Sequence, residues 1–278
     1  ISSASSSVAV GRSTGDQVNS SRISRASVPT CAVHWRGCLP TVGEYIGKGS
    51  QSELIYRGTR FTGMAHYKQL LEVCSGTAKL TWTAAAAGCD VMDPVDKNTG
   101  WDLTTQGDLR SLMRLVRQFR PFVTHIAPVC RSFSVAYHPQ PGSGKDGSIA
   151  DQLDLQLAIN LASVAKLVVA LGLYVVIENP VGSRLFKLQE YQHLHSMTGF
   201  FFVRVNSCML GVTHPVTGKP VWKGYRFLTN APWLSGIGIE CDKSHEHSTL
   251  HGSYCTASAE YPQSMCEVYA QLLLSRLS

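Results

Sequence analysis

No apolar run in this 278-residue chain is both long enough to cross a bilayer and free of breaks. The longest, residues 161–177, contains Lys166 and Gly172, whereas a span needs about 20 predominantly apolar residues. No membrane partner is therefore expected. The first residues lack the basic, apolar and small-residue pattern of a secretory signal. They also lack a Met: the chain opens on Ile1, which reads as a piece of a longer product with flanking domains. Paired Cys-x-x-Cys spacings are missing. Nine cysteines, an odd number, do not compose a disulfide framework, so a reducing compartment is the expectation. Charged residues make up only 16% against 44% hydrophobic, which leaves an ordinary globular balance rather than a disordered one. The length suits one large α/β domain or two small ones.

The net charge is +6, and residues 1–66 hold seven basic side chains against three acidic ones. That excess is compatible with a polyanionic partner and equally with a solvated tail. Residues 1–30 are Ser-rich with few large apolar groups, and read as disordered. Residues 31–66, with Cys31, Trp35 and Cys38, read as an irregular lead-in. The folded domain is expected over 67–278.

Within that domain, residues 69–74 read as a strand, 75–77 as a tight turn, and 78–87 as a helix closed by Gly88. Residues 89–92 read as a second strand ending in Asp93-Pro94-Val95-Asp96. A small-residue turn before a helix exposes backbone N–H groups to a ligand. An acidic residue at the end of the next strand can accept ribose hydroxyls. Residues 108–120 form an amphipathic helix with Leu109, Leu112, Met113, Val116 and Phe119 on one face. Its Arg110, Arg114 and Arg117 read as a solvated face or a phosphate contact. A loop over 137–147, a long helix over 148–171, a helix over 183–197, late strands over 200–208 and 221–229, and a closing helix over 264–277 complete the pattern. Strands alternating with helices predict an α/β fold with a doubly wound, mostly parallel sheet.

Two short buried strands end in chemistry. Residues 121–126 stop at Pro128, and Cys130 follows two residues later. Residues 173–177 lead into Glu178-Asn179-Pro180. Ligands collect at the carboxyl ends of strands in such sheets. A thiol there can act as a nucleophile or be a structural cysteine. A carboxylate at the end of a wholly apolar strand needs a partner or a task. Trp222, Lys223, Tyr225 and Arg226 interleave basic and aromatic groups, as a nucleic-acid contact or an amphipathic strand. Cys74, Cys89 and Cys208 read as core. Cys241, His245, His247, His251 and Cys255 are types that zinc favours, at a spacing no standard finger uses; no metal is assigned to them at this level.

Taken in order, these segments resemble the DNA (cytosine-5) methyltransferase family. Leu71-Glu72-Val73-Cys74-Ser75-Gly76-Thr77 resembles its Phe-Ser-Gly-x-Gly cofactor turn. Pro128-Val129-Cys130-Arg131-Ser132-Phe133-Ser134 resembles its Pro-Pro-Cys-Gln-x-Phe-Ser nucleophile loop. Glu178-Asn179-Pro180 resembles Glu-Asn-Val in the proline form seen in some mobile-element and phage-like members. Ala259-Glu260-Tyr261-Pro262 resembles the last motif, which returns to the cofactor. The match runs from about residue 70 to 277. It departs at Ala78, where the family has the second glycine, at Val129 for proline and at Arg131 for glutamine. The Gln-x-Arg-x-Arg motif is not recognisable, leaving Arg204 as its candidate. The target-recognition region, about 210–258, is short.

The resemblance implies a Rossmann-like fold, S-adenosylmethionine as methyl donor, DNA as substrate and a nuclear location. It implies Cys130 as nucleophile and Glu178 as the group holding the base, with Arg204 assisting. Independently of it, a cation beside a thiol favours the thiolate, so Arg131 is expected to lower the Cys130 pKa. The resemblance places cofactor contacts on Cys74, Ser75, Gly76, Thr77, Asp93, Asp102 and Pro128. Two alternatives stay open: a catalytically weak or inactive nucleic-acid-binding relative, and an RNA cytosine-5 methyltransferase.

Overall fold

The computed structural model describes residues 68–134, 149–248, 250 and 259–277, all within one compact unit. The expectations for segments 1–30 and 31–66, for the 137–147 loop, and for His251 and Cys255 lie outside the described residues.

Five strands build one sheet: β1 (Leu70–Val73), β2 (Val123–Ile126), β3 (Tyr174–Pro180), β4 (Phe201–Asn206) and β5 (Gly224–Thr229). Their order is β1-β2-β3-β5-β4. β1, β2 and β3 run parallel, while β5 lies antiparallel to both β3 and β4. The sheet is thus mixed and only partly parallel, which corrects the mostly parallel expectation. The cause lies in the connections. Parallel neighbours need a crossover, usually helical, and the helices Gln106–Phe119 and Ile149–Ala170 supply those to β2 and β3. Between β4 and β5 there is only an irregular excursion with one short 3-10 turn at Ser207–Leu210.

The expected strand over 89–92 is not a strand. Only Val91 and Val95 bridge to β1, at Leu70 and Val73. Pro94 lies between them and has no N–H to give a ladder. β3, conversely, runs on past Ile177. Glu178, Asn179 and Pro180 pair with Phe227, Arg226 and Tyr225 of β5, so the Glu-Asn-Pro segment is strand rather than loop.

Among the described residues five α-helices cover the sheet: α1 (Lys79–Ala86), α2 (Gln106–Phe119), α3 (Ile149–Ala170), α4 (Gln189–Ser196) and α5 (Gln263–Leu274). The helix expected over 183–197 is divided into a 3-10 turn, Arg184–Lys187, and α4. α2 starts where the Thr105 side chain accepts the Asp108 N–H and stops at Arg120 in a left-handed conformation. Its Leu109, Leu112, Leu115, Val116 and Phe119 are buried, each worth about 1.5–3 kcal/mol of apolar burial. α2, α3 and α4 pack on the sheet face bearing Leu71, Val73, Val175 and Ile177. α1 and α5 pack on the face bearing Leu70, Val123, Val176 and Phe227. By length and composition alone α3 could cross a membrane. Here its Ala158, Leu161, Ala162, Val164, Ala165 and Val168 sit in the protein core.

The winding reverses at β1. The chain leaves β1 through α1 on one face and reaches the 91–95 segment outside it. It returns through α2 on the other face to β2, on the inner side. A crevice opens at such a reversal, outside the carboxyl ends of the two strands.

Candidate active site

β1 runs into the turn Cys74-Ser75-Gly76-Thr77 at the reversal point. Cys74, Gly76 and Ala78 all have positive φ, 57°, 56° and 55°. Three left-handed residues in five swing the chain from strand into α1. Glycine takes that conformation freely, but each L-residue bears about 1–2 kcal/mol of strain there. The Cys74 N–H donates to the Val95 carbonyl at 2.7 Å. The Gly76 N–H donates to Asp96 Oδ2 at 3.0 Å. Ser75 Oγ is buried with no hydrogen-bond partner, and a Cβ at Gly76 would meet nothing within 4 Å. The turn therefore presents an unsatisfied hydroxyl beside open space. Burial, with Asp96 nearby, pushes the Cys74 thiol up to about 12, which makes it inert.

The acidic residues are distributed differently from the expectation. The bridged segment ends at Val95, so the carboxylate just beyond it is Asp96, not Asp93. Asp96 Oδ1 accepts the Asn98 N–H at 2.8 Å while Oδ2 takes Gly76. Asp93 sits inside the segment, half-buried. Asp102 is exposed, and its Oδ1 takes both the hydroxyl and the N–H of Thr104. Those hydrogen bonds hold its carboxyl below the usual value.

The carboxyl ends of β2 and β3 are fastened to each other. Asn179, fully buried, donates from Nδ2 to the Pro128 carbonyl at 2.9 Å. The Ser183 hydroxyl fixes the amide by donating to Asn179 Oδ1 at 2.7 Å. Past Pro128 the loop is tied again. The Ser132 hydroxyl reaches Asp151 Oδ1 at 2.8 Å, Arg184 donates to the Ser132 carbonyl at 2.9 Å, and Phe133 is buried. Between these anchors Cys130 is exposed. A valine in place of proline at 129 thus does not leave the loop unheld.

Glu178 is buried on the α1/α5 face and lies under Tyr261, whose hydroxyl donates to Oε2 at 3.1 Å. Desolvation pushes its carboxyl up to about 7, against the pull of Lys223 and the Tyr261 hydrogen bond. The same Tyr261 hydroxyl lies 2.9 Å from His125 Nε2. Burial lowers His125 to about 3, so its ring is neutral. Its Nδ1 is buried without a partner. A neutral ring with the proton on Nε2 donates to Tyr261, which donates to Glu178: a proton-bearing chain across the sheet face.

Cys130 feels the charges of the same cluster. Desolvation and the Glu178 charge raise its thiol, and Lys223 opposes them. Arg131 does not lower the thiol as expected. Its guanidinium is 3.3 Å from Asp154 Oδ2, and the thiol stands above, not below, its ordinary value. Lys223 is the cation that acts on both Cys130 and Glu178. Of its neighbours in the basic and aromatic run, Tyr225 is buried and Arg226 lies over the Phe202 ring at 3.5 Å; Trp222 alone of that group is largely exposed.

Arg204 is not brought to this cluster. It pairs across the sheet with Arg226, while Glu178 pairs with Phe227. Side chains alternate between faces, so Arg204 belongs to the face opposite Glu178. It is half-exposed and 3.8 Å from Glu240.

Sequence reasoning missed Asn179 as an anchor, His125, Tyr261 and Lys223 as a polar set, and Asp96. The clue to His125 was present: a histidine inside a strand with apolar neighbours has to find a partner. A second convergence lies beyond β4, where Cys208, Cys241, His245 and His247 bring their ligating atoms within 4.8 Å of one another. No family model matches the chain, and a search of the curated proteins returns no match.

Proposed function

We propose that this chain is an S-adenosylmethionine-dependent DNA cytosine-5 methyltransferase with a Rossmann-like fold, Cys130 its nucleophile and Glu178 its base-holding acid. One observation carries the reading: adjacent parallel strands deliver a thiol and a carboxyl with an elevated pKa to one edge, tied by the Asn179–Pro128 hydrogen bond. The reversal of winding beside them supports a ligand crevice.

The chemistry follows from the residues. Cytosine C5 is a weak nucleophile. The Cys130 thiolate adds to C6, and the electron pair moves to N3, where protonated Glu178 donates. A carboxyl with a pKa of about 7 holds that proton in a good fraction of molecules at neutral pH. Tyr261 and His125 orient Glu178 and can share the proton. A base removes the C5 proton afterwards, and Cys130 leaves as thiolate. The base must first be taken out of the duplex. The unsatisfied Ser75 hydroxyl, the open turn at Gly76 and Asp96 fit a polar adenosyl ligand. When bound, it supplies an electrophilic methyl group.

The raised Cys130 thiol favours a second reading, a catalytically weak relative that binds nucleic acid. Incubation with duplex DNA or tRNA and labelled S-adenosylmethionine, followed by nucleoside analysis, tests both. Label in 5-methylcytosine from DNA, lost in Cys130→Ser, is the expected result. Label only from tRNA redirects the substrate, and cofactor binding without label in either favours the weak relative.

A further inference from the structure

We propose that Cys208, Cys241, His245 and His247 form a structural zinc site that clamps the loop after the 3-10 turn Pro232–Ile237 onto the 3-10 turn Ser207–Leu210, whose Ser207 holds the segment carrying Lys223.

The donors themselves define the metal. Two thiols and two imidazoles make a soft, four-ligand set with no protein position left open, which suits a closed tetrahedral zinc centre. Cys241 Sγ lies 3.7 Å from His245 Nε2 and 3.4 Å from His247 Nε2. With Zn–S near 2.3 Å and Zn–N near 2.05 Å, a tetrahedron has an S···N edge of about 3.6 Å; the two distances bracket it. The His245 and His247 rings are 4.7 Å apart, and all four ligating atoms fall within 4.8 Å.

The surroundings hold these donors in place. Asn206 Oδ1 accepts the Cys241 N–H at 2.7 Å. The Lys243 N–H points at Cys241 Sγ from 3.3 Å, with Lys243 at φ 61°. Asp242 Oδ1, fixed by Ser244, is 4.0 Å from His245 Nδ1. Metal-bound histidines commonly present their second nitrogen to a carboxylate in this way. Further along, the Ser248 N–H donates to the Pro220 carbonyl and Lys219 pairs with Glu246. Both flanks of the loop are thereby attached before any ion binds.

The ligands come from two places 33 residues apart, Cys208 on the turn after β4 and the others on the later loop. Ser207, beside Cys208, accepts the Lys223 N–H at 2.9 Å and donates to the Val221 carbonyl at 2.6 Å. A metal here cross-links the later loop to the turn that holds the segment of Lys223, the cation whose charge acts on Glu178 and Cys130. Binding converts both thiols to thiolates and releases their protons.

The test uses the full chain, expressed with added zinc and desalted against a mild chelator. About one zinc per chain by elemental analysis is expected, and cobalt replacement should give the strong visible d–d absorption of a tetrahedral thiolate site. His247 is exposed, so His247→Ala should fold; it should hold zinc at least about tenfold more weakly in chelator competition. Cys208→Ser should do the same, and Cys130→Ser should not. A parent chain that binds neither metal stoichiometrically overturns the proposal. So does zinc binding of unaltered strength in His247→Ala, which would put the ligands elsewhere.

Discussion

The Asn179 side-chain amide, from inside β3, donates to the Pro128 carbonyl at the end of β2, 2.9 Å away. One buried hydrogen bond thus ties the residue that follows Glu178 to the loop that presents Cys130. Asn179→Ala leaves the Pro128 carbonyl without its donor and the Ser183 hydroxyl without its acceptor. The expected loss is about 1–3 kcal/mol of stability, measured by urea unfolding. Trapping of the variant on 5-fluorocytosine DNA should fall more than its binding to unmodified duplex. An unchanged unfolding midpoint and full trapping would show that the bond holds nothing.

Ala78 takes a left-handed conformation, φ 55° and ψ 31°, at the head of α1. Ala78→Gly relieves that strain at a small entropic cost in the unfolded chain. A gain of about 0.5–1 kcal/mol is expected, seen as a higher melting temperature. A lower melting temperature would mean that the alanine methyl packs better than its backbone suffers.

Gly224 opens β5 under Val181. A Cβ there would lie 2.7 Å from Val181 Cγ2 and 3.3 Å from Asn206 Nδ2. Gly224→Ala should cost about 1–3 kcal/mol through overpacking. It should also disturb Lys223 next to it, so a cytosine adduct should form more slowly. Calorimetry and adduct kinetics together check both effects.

Two buried carboxyls, Glu72 and Glu178, are each raised from 4.5 to about 7. The folded protein therefore binds more protons than the unfolded chain between those values, and stability falls as pH rises through that window. His125, lowered from 6.5 to about 3, acts in the opposite sense: stability grows as pH rises from about 3 to 6.5. Glu72 accepts the Thr81 N–H and hydroxyl, which a glutamine oxygen can still do. Glu72→Gln should flatten the decline between pH 4.5 and about 7 in denaturant titrations. An identical slope in parent and variant would remove Glu72 from the account.

Cofactor affinity discriminates among the acidic residues. Asp96→Asn disturbs the carboxylate that meets the Gly76 N–H and should weaken S-adenosylmethionine binding by about 1–3 kcal/mol. Asp102→Asn alters a group engaged with Thr104 in its own turn and should leave binding nearly unchanged. Isothermal titration of both variants, with Asp93→Asn beside them, decides which carboxylate faces the ligand.

Much of the element order was legible because apolar periodicity and glycine stops are local signals. α2, with its amphipathic spacing, and α3, ended by Gly172, fall within two residues of expectation. Cys130 and Glu178 were legible because each follows a short apolar strand. What was not legible depended on pairing. Nothing in residues 221–229 says that β5 inserts antiparallel between β3 and β4, and that insertion is what carries β3 on through Glu178 to Pro180. Nor does spacing reveal that Cys208, a core cysteine by its neighbours, meets Cys241 and two histidines. Asp93 directly follows the apolar run that Pro94 interrupts, whereas the last bridge of the segment is at Val95, which leaves Asp96 as the carboxylate just beyond it.

α5 covers the sheet face on which Glu72, His125 and Glu178 lie, and it packs on α1; Lys79 reaches Glu260 across 181 positions of sequence. During synthesis from the N-terminus, that face stays uncapped until residues 261–274 have left the ribosome. The nascent chain must carry an open apolar surface with three ionisable groups through most of its translation. Closure by so distant a segment is slow, which makes this face the place where a chaperone would be needed and where a truncated chain would first aggregate.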